Sequence, residues 1–325
     1  MSKNAFVPHP EQMMLWPDVS GNDINGLNDP NPSNPKYVYW GNTPDDVAFG
    51  DLQKWFYSVD PGLPEYATER ENRAKILAAP LKDVAAQKAQ MTDPMARIFF
   101  EAAIKNKIFD KAGVARFDPI WAFEGAEIKF RYIIVLGVQH DYDAISEAPK
   151  PEAGLEVMRQ YSRAAFGAKS VANWLRGLGW DAEPLTGPMS GKVTLIPPAL
   201  ASGFGELGKH GSIINPEFGA SFRLSGVLTD CPLPLDEPAD HGIDDFCQNC
   251  RICEAACPPD ALFSEKKMVR GTTKWYVDFD KCIPYFNDTL GCGICIAECP
   301  WSLPGVAQGL SRKMLRRRQR KAAGG

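Results

Sequence analysis

FCQNCRICEAACPPDALFSEKKMVRGTTKWYVDFDKCIPYFNDTLGCGICIAECPW, residues 246–301, carries eight of the nine cysteines of the 325-residue chain. The first motif reads Cys247-x2-Cys250-x2-Cys253-x3-Cys257-Pro258, the bacterial ferredoxin spacing for cubane iron–sulfur clusters. A second run, Cys282-x9-Cys292-x2-Cys295-x3-Cys299-Pro300, repeats it with an insertion after its first cysteine. In this spacing three thiolates on a tight turn clasp one cluster, and the fourth cysteine of each run reaches across to the other. The expected ligand sets are therefore Cys247, Cys250, Cys253 and Cys299 for one cluster, and Cys282, Cys292, Cys295 and Cys257 for the second. Structural zinc is the alternative, but its four-thiolate sites use two C-x2-C pairs and do not need this longer pattern. Cys231 lies outside both runs and reads as a packed thiol rather than a ligand.

The composition around this block is ordinary for a globular protein, 44% hydrophobic and 23% charged. Disorder as the main state is excluded. Thirty-six basic and 40 acidic residues give a formal charge of -4, which steers the chain toward no nucleic acid. No run of about 18 apolar residues occurs, so no membrane span is expected. MSKNAFVPHPEQMM, at the start, has neither a secretory pattern nor a twin-arginine pair, and the clustered cysteines are not a secreted disulfide framework. The expected location is cytoplasmic.

Upstream, the chain to about Trp40 is rich in Pro, Asn, Asp and Gly and reads as irregular chain wrapped on a surface. Helical patterns run from Pro64 to about Asp110, divided by Pro80 and Pro94. Gly113–Phe117 and Arg131–Val138 fit buried strands. A long helix follows, with Tyr161, Ala164, Ala165, Ala168, Val171, Ala172 and Leu175 on one face and Gly177 and Gly179 at its end. Lys192–Ile196 is a further candidate strand. Gly203, Gly205, Gly208, Gly211 and Gly219 mark a loop that requires close backbone approach to something. The basic tail, Arg312 to Lys321, reads as a solvated helix face or a dock for an acidic electron donor. The expected organisation is an irregular and helical region 1–110, a domain 111–240, the cysteine module 241–303 and the tail 304–325.

The order YSRAAFGAKSVANWLRGLGW, ALASGFGELGKHGSIINPEFGASFR, VLTDCPLPLDEPADHGIDDFCQNCRICEAACP and KCIPYFNDTLGCGICIAECPW resembles the cobalamin-dependent reductive dehalogenases, most closely the catabolic, non-exported type. The likeness runs from about Ala112 to Arg318. It implies an α/β (α+β) fold: a nitroreductase-like corrinoid-binding domain with a bacterial-type two-cluster ferredoxin module. It also implies cobalamin as a base-off corrinoid, two 4Fe-4S clusters, and a small organohalide, such as a halogenated aromatic, as substrate. No fused flavin module is seen, so the electrons would come from a separate ferredoxin, flavodoxin or reductase. Of the four histidines, His9, His140, His210 and His241, none sits in the D-x-H-x-x-G setting that supplies a cobalt ligand in other corrinoid enzymes.

The resemblance further implies that Tyr161 is the proton donor and Arg223 the basic residue that holds the tyrosine's charge. An ordinary phenol is a poor acid near neutrality, and an adjacent guanidinium favours its anion. From the residues alone, Tyr161 also reads as a helix-face residue with its hydroxyl at the surface. Where many members carry an asparagine, this chain reads LTGPMSG, with Pro188 and Met189. Gly203, Gly205, Gly208 and Gly211 are the candidates for cradling the corrinoid tail, because exposed backbone amides suit phosphate and amide groups; a mobile turn-rich loop is the other reading. Two other functions remain open at this stage. One is an epoxyqueuosine reductase-like enzyme, which uses an acidic proton donor and a helical-repeat C-terminus on transfer RNA. The other is a corrinoid or electron-transfer protein without chemistry.

Overall fold

Ile134, Leu136 and Val138 point to one side of a strand while Ile133 and Val135 point to the other, and all five are fully buried. A strand with two apolar faces must be covered on both. The computed structural model, which describes residues 6–41, 43–187 and 191–323, covers it so. Its strands are β1 (Lys111–Arg116), β2 (Tyr132–Gln139), β3 (Ala182–Leu185), β4 (Glu206–Leu207), β5 (Ile213–Ile214), β6 (Phe222–Thr229), β7 (Lys267–Val269) and β8 (Thr272–Lys274). Four form the central sheet in the order β1-β2-β6-β3, with every neighbouring pair antiparallel. The β4–β5 and β7–β8 pairs are separate hairpins.

The helix Pro151–Gly177 covers one face of the sheet. Its Ala164, Ala168, Val171, Ala172 and Leu175 meet Ile134, Leu136, Val138 and Val227, the helical face expected from the spacing. Alanines there let the helix approach the sheet closely. Cys231 is fully buried in the same core, and burial pushes its thiol up to about 12, as befits a packing residue. The other sheet face packs Ile133, Val135 and Leu228 on Ala199, Phe204, Ile213 and Phe218. Lys192–Ile196 is not a strand. Val193 makes a single bridge to Ala122, and Ile196 opens the short helix Ile196–Ala201 with prolines in its first turn. Proline lacks the N–H a sheet needs but fits a helix start.

The helices Glu65–Ala78 and Asp93–Lys105 lie on either side of Pro80, and Pro94 stands in the first turn of the second behind the Thr92 cap. Two further cores flank the sheet domain. In one, Val38, Tyr39, Phe49 and Leu52 of the N-terminal chain pack on Ile283, within the helix Phe279–Asp288. In the other, Ile214 and Ala220 join Ile243, Cys247, Cys299, Trp301, Ala307 and Met314. The last two belong to the helix Ala307–Ala323, whose Arg318 pairs with Asp240 and, at 2.7 Å, with Asp245. Among the described residues no helix is long and apolar enough to cross a membrane.

Candidate active site and cysteine centre

Tyr161 lies half-buried in the second turn-pair of the long helix, facing the start of β6. Arg223 is brought there by the sheet register, which sets it opposite Val138. Its guanidinium carbon stands 5.0 Å from the centre of the Tyr161 ring, the meeting expected from the sequence. A second guanidinium, from Arg73 in the helix Glu65–Ala78, stands 5.4 Å from the same centre. Arg73 also donates from Nη1 to the Tyr161 carbonyl at 2.8 Å and from Nη2 to the Thr186 carbonyl at 3.3 Å. It therefore pins the helix turn that carries the phenol. No sequence motif pointed to it.

His140, just past β2, completes the buried side of this site. Its backbone N–H donates to Ser221 O, and its Nδ1 lies 3.1 Å from Ser221 Oγ. Burial, and then the nearby Arg223 charge, hold its pKa well below the usual histidine value, so the ring is neutral. Tyr57 borders the site from the N-terminal chain: burial raises its pKa, Arg73 opposes this, and Tyr161 adds to it. Around Tyr57 stand Trp40, at 6.2 Å, and Phe56, at 5.4 Å between ring centres. Pro188 and Met189 lie outside the described residues.

The cysteines gather as the spacing predicts. Cys247, Cys250, Cys253 and Cys299 line one cavity together with Lys209, His210, Phe246, Pro300 and Trp301. Cys282 feels the charge of Cys292 and Cys257, and Cys295 that of Cys292, Cys282 and Cys257, which puts these four in one neighbourhood. Cys295 also feels Cys253, so the two sets adjoin. Burial pushes the thiols of Cys247, Cys253, Cys282, Cys292, Cys295 and Cys299 up, Cys247 to about 12 and Cys253 to about 11. Such thiols stay protonated unless a bound cation compensates, which is what iron does for a ligand. Among the described residues no three His, Cys, Asp or Glu side chains form the ligand set of a single ion.

The glycine loop bends over the first set. A side chain at Gly205, where φ is +149°, would meet the Ile214 carbonyl at 2.0 Å, and one at Gly203 the Glu237 carbonyl at 2.7 Å. At Gly208 it would meet the His210 ring at 2.8 Å, and at Gly211 the Val277 side chain at 3.0 Å. What these four glycines make room for is the chain itself. Lys209, inside the loop, is buried, and its Nζ donates to Glu254 Oε1 at 2.5 Å and to the Cys250 carbonyl at 3.0 Å.

Comparison with known proteins bears on the fold and on the cysteine module. The family described as a 4Fe-4S dicluster domain matches residues 246–303. A tetrachloroethene reductive dehalogenase of Desulfitobacterium hafniense is 34% identical over 204 residues, 58% of this chain and 36% of that protein. That of Sulfurospirillum multivorans is 30% identical over 179 residues, 52% and 35% of the two chains. The chain is related to the reductive dehalogenases. It spans about a third of the length of these curated reductive dehalogenases. A solved reductive dehalogenase structure, described as suggesting a mechanism for B12-dependent dehalogenation, superposes with a TM-score of 0.67 at 25% identity, covering 78% of this chain and 39% of that one. A catabolic reductive dehalogenase solved with 3-bromo-4-hydroxybenzoic acid shares the fold at a TM-score of 0.72 and 24% identity, over 85% of this chain and 42% of that one. A more distant relative of this chain is the epoxyqueuosine reductase of Vibrio cholerae, 30% identical over 168 residues, which are 43% of this chain and 42% of that one.

Proposed function

We propose that this chain replaces a carbon–halogen bond of an organohalide by carbon–hydrogen, consuming two electrons and one proton and releasing halide. The single observation that carries the reading is Tyr161, a phenol under two guanidiniums, in a fold shared with the reductive dehalogenases. The cofactors fit in different ways. For two 4Fe-4S clusters the fit is the donor chemistry of eight thiols in two crossed sets. For a base-off corrinoid it is three buried polar atoms that lack a partner among the described residues: Nε of Arg223, which meets the Tyr161 ring, Nε2 of His140, which feels the Arg223 charge, and Oε1 of Gln160, the neighbour of Tyr161 in the chain. Buried groups of this kind call for a bound polar partner.

When bound, the corrinoid supplies a strongly reducing cobalt to break the carbon–halogen bond, with electrons reaching it by way of the clusters. The chain's own part is proton delivery. Tyr161 holds a proton at Oη and gives it to the carbon centre; Arg223 and Arg73 stabilise the phenolate left behind. Arg73 fixes the ring by holding the Tyr161 carbonyl. Tyr57, Trp40 and Phe56 offer apolar faces suited to an aromatic ring, and the two arginines suit a phenolate or carboxylate on it. The electron donor is a separate low-potential carrier, and thiolate-held clusters fit a reducing cytoplasm.

Anaerobically reconstituted protein, given a chemical reductant and halogenated phenols or benzoates, should release halide. Tyr161→Phe should slow release by about 100-fold or more, the range for a lost general acid, while cobalt and iron contents stay at parental values. Equal rates in the two proteins would remove Tyr161 from the chemistry.

A further inference from the structure

Two side-chain N–H groups in the first cysteine cavity have no partner among the described residues. His210 is buried, and its Nδ1 accepts the Ser212 backbone N–H at 3.2 Å. A nitrogen that accepts carries no hydrogen, so the neutral ring bears its proton on Nε2. That atom is buried and has no partner among the described residues. The ring is held in place by Gly208, at which a side chain would come within 2.8 Å of Cε1 and 3.0 Å of Nε2. Trp301 is 1% exposed, and its Nε1, which can only donate, is likewise buried without a partner. Both residues line the cavity of Cys247, Cys250, Cys253 and Cys299, and so does Lys209, 2% exposed at its side chain.

We infer that His210 and Trp301 donate these N–H groups to sulfur of the cluster held by Cys247, Cys250, Cys253 and Cys299, making it the more easily reduced of the two. The inference rests on the reading that both cysteine sets hold clusters. A reduced cluster carries one more negative charge, so donors aimed at its sulfurs favour the reduced form and raise its potential. The Lys209 charge acts in the same direction, opposed by the Glu254 carboxylate it pairs with, so the two ring donors carry the difference. Backbone N–H groups serve both sets: those of Lys209 and Trp301 reach Cys247 and Cys299, and that of Ala261 reaches Cys257 at 3.3 Å. At the second set the further donors are the Gly293 and Ile294 backbone and the Thr289 hydroxyl, all to Cys292. The second set also has the Tyr285 phenol near Cys292 and Cys257; the first, among the described residues, adds two buried ring N–H groups that lack a partner and a buried ammonium. One electron leaving the second cluster therefore settles on the first, at the expense of a reductant such as dithionite or a low-potential carrier protein. The first set also adjoins the strand that carries Arg223: the Trp301 carbonyl lies against Gly219, four residues before Arg223, so closely that a side chain at Gly219 would meet it at 1.9 Å.

The test is an anaerobic redox titration of the reconstituted full chain followed by electron paramagnetic resonance, with iron and sulfide assayed beforehand. About eight of each confirms the two clusters on which the inference stands; a protein without sulfide would refute that reading independently. His210→Phe and Trp301→Phe keep a ring and remove the donor. Each should lower the midpoint potential of the higher-potential cluster and leave the other unmoved. Potentials unchanged in both variants at full iron content would overturn the inference. Should a variant lose iron, the parental protein decides: pulsed spectra of the first cluster to be reduced should show a nitrogen coupling that changes when histidine is labelled with ¹⁵N. Spectra indifferent to the label would overturn it equally.

Discussion

The two cysteine sets share one spacing rule but stand in different surroundings. The first is roofed by the loop between β4 and β5 and by Trp301, so the sheet domain supplies its walls. The second hangs on the helix Phe279–Asp288, which the N-terminal chain grips through buried amides. Gln12 Nε2 donates to the Pro284 carbonyl at 3.2 Å and to Asp288 at 2.9 Å, Asn287 Nδ2 to Gln12 Oε1 at 2.9 Å, and Tyr39 Oη to Asn287 Oδ1 at 2.6 Å. Ligand chemistry is the same in both, so any difference in behaviour has to come from what encloses the thiols. The first set is enclosed by the loop and Trp301, the second by the N-terminal chain, whose Trp40 and Phe56 pack on Phe286 of its helix.

The harshest way to break the comparison is to remove a ligand from one set. Cys292→Ala should reduce iron from about eight to about four per chain and leave the first cluster's spectrum in place. Loss of all iron would show that the sets assemble as one unit. Next in size is Arg73→Met. Removing one of two cations from the Tyr161 ring, together with its bond to the Tyr161 carbonyl, should slow halide release by about tenfold, ~1.4 kcal/mol in barrier. Both cluster spectra should stay as they were.

Asn287→Leu sharpens the contrast from the other side. It leaves Tyr39 Oη and Gln12 Oε1 buried without partners, at a cost of about 1–3 kcal/mol each. Thermal unfolding should begin earlier, and the second cluster should be lost to chelator before the first. The smallest effect concerns pH at the tyrosine site. His140 is held neutral in the fold, and the unfolded ring takes a proton below about pH 6.5, so the unfolded state binds more protons there. Stability should fall as the pH drops below that value, by at most about 1.4 kcal/mol per pH unit, and His140→Gln should flatten the slope in melting experiments. An unchanged slope would mean that another group takes up the proton.

Sequence alone determined what depends on short-range spacing. Three cysteines at intervals of three residues must share a turn, and the proline-marked fourth must reach away from it. The crossed sets of Cys257 and Cys299 were therefore legible before any fold was known. Periodicity did the same for β2 and the alanine face of the long helix, since both are covered by a core. It failed at Lys192–Ile196, where β-branched residues suggested a strand and two prolines in the following turn made a helix start. The tertiary structure decided what depends on chain brought from a distance. Arg73 reaches Tyr161 from 88 positions away in a region without a motif. The glycines of residues 203–211 announced close approach, but nothing local could say that Glu237 and Val277 are among the neighbours. A conformational requirement is written in a few adjacent residues; the partner that creates it is chosen by packing.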